Sequence, residues 1–314
     1  MRFPPRLAGV LFLAALMTAA VPSAHGAGSP SVGAILIAAA PTANPLIIAH
    51  SALWSAAPPN RPIRLPGAGQ GGAVTGLTRS PAGSHIAYVL NGTKLLQAAA
   101  DGSHAKVLFA LSADSFGQIA APRYTPDGKS IGFSAGAGAN FTTYEIAMDG
   151  THLHKLFGGG VRLLQDWSPD GKHLLFTLNG ALWTADPSGG HAQPLGGDAP
   201  DAGGFSDARY SPDGSHITAA LRPAQGAQEA AGQVIVLMHP DGQYLTTLTA
   251  HLGYDAAHPT WSPDGKQIAF LVASGALGSL GRLHDLWVMG FNGSNSRNLS
   301  RGTAGDVSAA AWAR

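Results

Sequence analysis

The sequence predicts an all-β chain: six small four-stranded antiparallel sheets set around one ring. Three observations carry that expectation. A turn string, Ser/Thr-Pro-Asp-Gly, follows an aromatic residue at Tyr124, Trp167, Tyr210 and Trp261, with a weaker copy after Arg79. Successive copies lie 43 to 51 residues apart. Between them run short apolar segments separated by Gly-containing polar turns, and no segment keeps a 3.6-residue period, so strands are expected and helices are not.

Within each repeat the elements follow in a fixed order. Ser-Pro-Asp-Gly suits a tight turn: Pro presets φ at the second position, Asp suits the third, and Gly accepts positive φ at the fourth. The aromatic residue before it ends an inner strand and can pack between neighbouring sheets. After the turn comes an apolar run, "HIAYVL" from His85, "SIGFSA" from Ser130, "HLLFTL" from His173, "HITAAL" from His216 and "QIAFLV" from Gln267. Pairs such as Ile131 and Phe133, Leu174 and Phe176, and Ile268 and Phe270 are two residues apart and therefore share a face. A third run, a Gly-containing turn and a last short run complete the unit. Asp127, Asp170, Asp213 and Asp264 occupy equivalent points of separate units, so the turn explains them better than a shared metal would.

A four-stranded unit repeated every 40–50 residues is a propeller blade. The outer three strands of six blades fall near residues 45–65, 85–109, 130–157, 173–196, 216–249 and 267–300. The first of these sets rests on "LIIAHSALWSAAP" from Leu46, which matches "LFTLNGALWTADP" from Leu175 without a gap. Both the Ile35 segment and the terminal "SAAAWAR" fit an inner strand. The carboxy-terminal one with Trp312 is expected to close the ring, since closure leaves no open sheet edge. The Ile35 segment then becomes a lead-in strand or an outer addition.

Residues 1–26 read as an export signal. Arg2 and Arg6 precede an uncharged apolar stretch over 7–20, and the small residues Ala24 and Gly26 precede a cleavage point before Ala27. The stretch is short for a membrane span of roughly 20 residues. Residues 27–314 then form one propeller domain. No later stretch is long and apolar enough to span a membrane, and the compartment is periplasmic or secreted in a bacterium. The 19 basic and 18 acidic residues nearly balance, and loss of Arg2 and Arg6 leaves one net negative charge. That balance does not suit nucleic acid, which needs a basic face. The chain has no cysteine, which excludes disulfides, thiol catalysis, zinc–thiolate sites and a lipid on an amino-terminal cysteine.

"WSPDGKHLLF", "WSPDGKQIAF" and "LWVMGFNGSNSRNLS" resemble the WD-like repeats of the TolB-type six-bladed propeller, over about residues 70–314. Similar repeats occur in the periplasmic Tol–Pal component, in propellers of prolyl-oligopeptidase-type peptidases and in oligogalacturonate-lyase-like enzymes. The chain departs from the first in having no α/β domain of about a hundred residues before the propeller, and from the second in having no hydrolase domain after it. The resemblance implies the fold and leaves the function open.

Two nucleophile- or phosphate-type strings are discounted. "GFSAG" at Gly132–Gly136 has its serine on a strand, not on a strand-to-helix elbow. "GAGQGG" at Gly67–Gly72 is not followed by a helix. "HLGYDAAH" is a more open case, gathering His251, Tyr254, Asp255 and His258 between the outer strand of the fifth blade and the inner strand of the sixth. Equivalent connections carry Asp114, Asp198, Asp201, Asp207 and Asp306. The fifth and sixth blades also carry long insertions between their second and third strands, "RPAQGAQEAAGQ" from Arg222 and "SGALGSLGRLHD" from Ser274. These share the same face and put Arg222, Glu229, Arg282 and His284 near the channel mouth. Long loops on a rigid scaffold are where binding tends to reside. The expectation is a monomeric, non-enzymatic module that binds an envelope or periplasmic protein through His251, Tyr254, Asp255, His258, Arg222, Arg282 and His284. No cofactor is needed for that role. The alternative is a lyase-like or saccharide-binding protein acting at the mouth, with His251, Asp255 and His258 holding a divalent cation or acting as acid–base groups.

Overall fold

The structure, a computed structural model, describes residues 35–39, 52–56, 63–64, 72–112, 116–195, 202–223, 232–252, 255–274, 283–299 and 307–312. The signal segment, Leu46 to Ser51, and "GAGQGG" up to Gly71 lie outside the described residues. The strands in chain order begin with β1 (Ile35–Ala39), β2 (Ala52–Ala56) and β3 (Ile63–Arg64). Next come β4 (Val74–Arg79), β5 (His85–Leu90), β6 (Lys94–Ala99) and β7 (Lys106–Ala110). They are followed by β8 (Gln118–Tyr124), β9 (Ser130–Ala137), β10 (Asn140–Ala147) and β11 (His154–Gly158). Then come β12 (Arg162–Trp167), β13 (Leu174–Leu178), β14 (Ala181–Ala185) and β15 (Gln193–Pro194). The remaining strands are β16 (Ala202–Tyr210), β17 (Ile217–Pro223), β18 (Val234–Met238) and β19 (Tyr244–Thr247), then β20 (Ala256–Trp261), β21 (Gln267–Ser274), β22 (Leu283–Gly290), β23 (Arg297–Asn298) and β24 (Val307–Trp312). The one helical element among the described residues is a 3₁₀ turn over Ala250–Leu252.

Five four-stranded antiparallel sheets are built from consecutive strands, β4–β7, β8–β11, β12–β15, β16–β19 and β20–β23. Another sheet has the order β24, β1, β2, β3. Strand β1 pairs with β24 on one side and with β2 on the other. It is therefore the second strand of that sheet, not a lead-in or an outer addition. The match of "LIIAHSALWSAAP" to the fourth blade held only for its third strand, "ALWSA", which is β2. A second strand needs only a short apolar run with a partner on each side, and "ILIAA" supplies it earlier in the chain.

The four Asp-containing turns are built alike. In "WSPDGKH", the Gly171 N–H donates to Ser168 O at 2.8 Å, and Ser168 Oγ donates to Asp170 Oδ1 at 2.6 Å. The Lys172 N–H reaches the same carboxylate oxygen at 3.1 Å, and the His173 N–H reaches Ser168 Oγ at 2.9 Å. Asp127, Asp213 and Asp264 repeat these bonds. Each carboxylate is consumed by its own turn, whose hydrogen bonds hold it below the ordinary aspartate range. Each turn glycine has positive φ, from +69° to +74°. It also abuts the proline of the preceding turn: a Cβ on Gly128 would meet Pro81, on Gly171 Pro126, on Gly214 Pro169 and on Gly265 Pro212.

The core lies between sheets. Ile131 and Phe133 face Ala87, Val89 and Leu95 of the preceding sheet, and Leu174 and Phe176 face Phe157. Ile268 and Phe270 face Ile235 and Leu237. Ile131, Phe133, Phe176, Ile268 and Phe270 are fully buried, and burial of such a side chain contributes about 1.5–3 kcal/mol. The terminal aromatic residues add a tie between sheets. Trp261 Nε1 donates to Arg209 O at 3.3 Å and Trp312 Nε1 to Thr260 O at 3.0 Å. Trp167 occupies the same position, but its buried Nε1 has no partner and lies against Gly132. Ser134 of "GFSAG" is fully buried, shares a bond with Thr143 at 3.1 Å and accepts the Leu164 N–H at 2.9 Å. It ties two sheets together and is not a nucleophile.

Candidate functional site

Among the described residues, His251, Asp255 and His258 are not gathered into one cluster. His251 is exposed on the 3₁₀ turn. Tyr254 and Arg282, with Asp114, Asp198, Asp201, Glu229 and Asp306, lie outside the described residues. Asp255 is a junction. Its Oδ1 accepts the Gln233 N–H at 2.7 Å, and its carbonyl accepts the Ala273 N–H at 2.8 Å. Gln233 ends the insertion between β17 and β18, and Ala273 just precedes the insertion between β21 and β22. Asp255 thus fixes the roots of both long connections side by side. Arg222 stands opposite Gly204 near the end of β17, and His284 stands opposite Ala273 in β22, so both flank the same roots. Among the described residues no three His or carboxylate side chains come together as a metal site. The set His251, Asp255 and His258 is not assembled.

His258 lies inside β20, not in the connection before it. The reason is a bulge that recurs in the inner strands. The register slips between Thr75 and Thr78 in β4, Ala120 and Arg123 in β8, Ser206 and Arg209 in β16, and Ala257 and Thr260 in β20. At each slip, the residue three before the turn-preceding residue has positive φ: Gly76 (60°), Ala121 (51°), Asp207 (53°) and His258 (54°). A bulge re-aims the side chain it carries. Two adjacent bulges thereby bring an acid and an imidazole together, with His258 Nδ1 3.1 Å from Asp207 Oδ1.

More charge lies on the next strands. Arg123, only 8% exposed, donates Nε to Gln165 O at 2.9 Å. Arg209 donates NH1 to the same carbonyl at 2.8 Å and to Ala208 O at 2.7 Å. Asp166 Oδ2 accepts the Tyr210 N–H at 3.0 Å, and Gln165 Oε1 accepts the Ala208 N–H at 3.0 Å. These four side chains therefore stitch β8, β12 and β16 together where the bulges interrupt the ladders.

The electrostatics follow from this packing. Burial pushes the Asp166 carboxyl up to about 6, with the Arg123 guanidinium offsetting part of the effect. Burial also lowers Arg123 from its ordinary value, against the pull of Asp166 and Asp207. Burial alone would raise Asp207, but His258 and Arg123 outweigh it and hold the acid below its ordinary value. The Asp207 carboxylate raises His258 above its ordinary value, more than burial lowers it. The imidazole is hemmed in by these groups yet 52% of its side chain is open to solvent, because it stands on the wall of a cavity.

That cavity, about 780 Å³, lies between the inner strands β4, β8, β12, β16, β20 and β24. Arg123, Asp166, Asp207, Arg209 and His258 line its waist, and Pro81, Pro126, Pro169, Pro212 and Pro263 line its turn end. Of this waist the sequence reading singled out His258 and counted Asp207 among several loop acids. It missed Arg123, Gln165, Asp166 and Arg209. The available signal was the column just before the turn-preceding aromatic, where Arg123, Asp166 and Arg209 replace the small or neutral residues Thr78 and Thr260.

Comparison with known proteins agrees with this architecture. The family model for the TolB beta propeller domain matches residues 77–314. No curated protein matches the chain in sequence. Among solved structures it is similar to TolB from Acinetobacter baumannii, with a TM-score of 0.70 and 20% identity over 91% of this chain and 68% of that one. It is also similar to a TolB candidate from Agrobacterium tumefaciens, with a TM-score of 0.60 and 16% identity over 88% of this chain and 92% of that one. An oligogalacturonate lyase from Vibrio parahaemolyticus shares the fold at a TM-score of 0.54 and 11% identity, over 79% of this chain and 71% of that one. Neighbours of one fold thus include an enzyme. With residues 77–314 matched, the chain belongs to the TolB β-propeller domain family.

Proposed function

We propose that the chain is an exported, monomeric, non-enzymatic propeller that acts in the periplasm or outside the cell as a binding module for an envelope protein. The observation that carries this reading is Asp255, which holds the roots of the two long insertions together on one face. That arrangement supports one continuous loop surface mounted on rigid sheets. Phe116, fully exposed in the connection from β7 to β8, adds an apolar side chain to the same face. The pairing of β24 with β1, and the packing of Trp312 against Leu271 and Leu286 of the sixth blade, support a six-bladed ring closed by the carboxy-terminal strand.

The test is capture from envelope extract with tagged protein starting at residue 27, with and without a chelator. The reading expects one specific protein in both conditions. It also expects that protein to be lost when residues 224–231 and 275–282 are replaced by short Gly-Ser linkers in a folded variant. Capture that survives both replacements would overturn it. The Asp207–His258 pair favours a second reading, acid–base chemistry on a saccharide entering the cavity. Turnover of an acidic oligosaccharide, abolished by His258→Gln, would establish that reading instead.

A further inference from the structure

We propose that the cavity between the inner strands is a binding site for a small organic carboxylate, received by Arg209, Arg123 and His258. This goes beyond the loop surface, which lies outside the cavity and does not use these groups. Three observations point to it.

First, two guanidinium groups converge on one acceptor. Arg123 Nε and Arg209 NH1 both donate to Gln165 O, at 2.9 and 2.8 Å. Like charges placed this close repel, and one carbonyl oxygen does not neutralise two cations. Second, the carboxylates of the waist are already engaged elsewhere. Asp207 is paired with His258 at 3.1 Å, and Asp166 accepts the Tyr210 N–H and faces Arg123. Among the described residues no carboxylate pairs with Arg209. Third, the lining carries a net positive charge in a chain whose charges nearly balance. It holds Arg79, Arg123 and Arg209 against Asp166 and Asp207, and His258 adds a further positive charge when protonated.

The space suits a small ligand. Pockets for such ligands span about 300–1,000 Å³ and combine a few placed polar groups with apolar wall, and this one is about 780 Å³. An arginine fork recognises a planar carboxylate with two parallel bonds. Arg209 is only partly buried and keeps the rest of its guanidinium for that purpose, as NH1 alone is bonded to Gln165 and Ala208. His258 turns Nδ1 to Asp207, and its other ring nitrogen, Nε2, is a donor when the imidazole is protonated. Toward the turns the wall becomes proline and aromatic, with Pro126, Pro169, Pro212 and Trp261 among its residues. A carboxylate head at the waist and a carbon body along that wall satisfy both halves.

Arg209 also ties two sheets, so a purely structural role has to be separated from a binding one. The experiment is isothermal titration of the intact protein at pH 6 with sodium benzoate, with sodium phosphate and sodium chloride at matched ionic strength, read together with tryptophan fluorescence. The expected result is saturable one-to-one binding of benzoate with a fluorescence change. Arg209→Gln should weaken binding at least tenfold, and His258→Gln about threefold. Lys129→Gln, on the outer turn face, should leave it unchanged. Circular dichroism verifies each variant. If Arg209→Gln does not fold, Arg209→Lys replaces it, since it keeps the charge and removes the fork. Undiminished benzoate binding in the Arg209 variant, an equal response to chloride, or binding of phosphate without benzoate would each overturn the proposal.

Discussion

Ala121 is an alanine held at φ 51° by the inner-strand bulge of β8, the position that Gly76, Asp207 and His258 occupy in other sheets. A left-handed conformation costs an L-residue about 1–2 kcal/mol. Ala121→Gly should therefore stabilise the protein by up to about 1 kcal/mol in urea unfolding, despite the extra chain entropy of glycine. The buried acids give pH signatures. The folded-state value of Asp166 is raised to about 6, above its unfolded value near 3.9. Ionisation therefore destabilises the fold as pH rises from about 4 to 6, and Asp166→Asn should gain stability relative to the parent between pH 4.5 and pH 7.5. The Asp207–His258 pair behaves in the opposite way at its two ends. The raised His258 contributes below about pH 6.5 and loses its contribution as pH rises through its folded value, while the lowered Asp207 loses its own as pH falls. His258→Asn, which tolerates positive φ, should thus cost most near pH 5–6, by about 1 kcal/mol or less because the imidazole is half exposed, and least at pH 9. Denaturation midpoints across this range provide the check.

At the scale of the element, the repeat made most strands legible. Five copies of one turn string fixed where inner strands end and second strands begin, because Pro, Asp and Gly each have one reason to stand where they do. The bulges were not legible, since Gly76, Ala121, Asp207 and His258 share a backbone conformation and no side-chain chemistry. Consequently His258 read as a loop residue and its partner as one acid among several. The second strand of the first sheet was misplaced because the match over "ALWSA" was extended upstream, whereas the partner of β2 on that side is β1, earlier in the chain. The terminal tryptophans yield a differential prediction. Trp261→Phe loses a hydrogen bond to Arg209 O as well as packing, whereas Trp167→Phe loses packing alone. Trp261→Phe should therefore be the more destabilising by about 1 kcal/mol, measured as the difference in chemical unfolding free energy.

At the scale of the molecule, the propeller presents two dissimilar surfaces. On the turn face, carboxylates and hydroxyls close on their own turns and glycines rest on the prolines of neighbouring turns, so its polar groups are committed to structure. On the loop face, Asp255 joins the roots of the two longest insertions, and between the faces lies a cavity lined by Arg123, Asp166, Asp207, Arg209 and His258. The sequence placed the insertions on the correct blades because they lengthen the repeat from 43 to 51 residues. It did not reveal the waist, whose residues come together only when strands far apart in the chain stand side by side. The measurement that tests the central claim most directly is photo-crosslinking in envelope extract, with the crosslinker placed at Gln233 on the loop face or at Lys129 on the turn face. The account predicts one discrete adduct from Gln233 and none from Lys129. An adduct from Lys129 alone would contradict it.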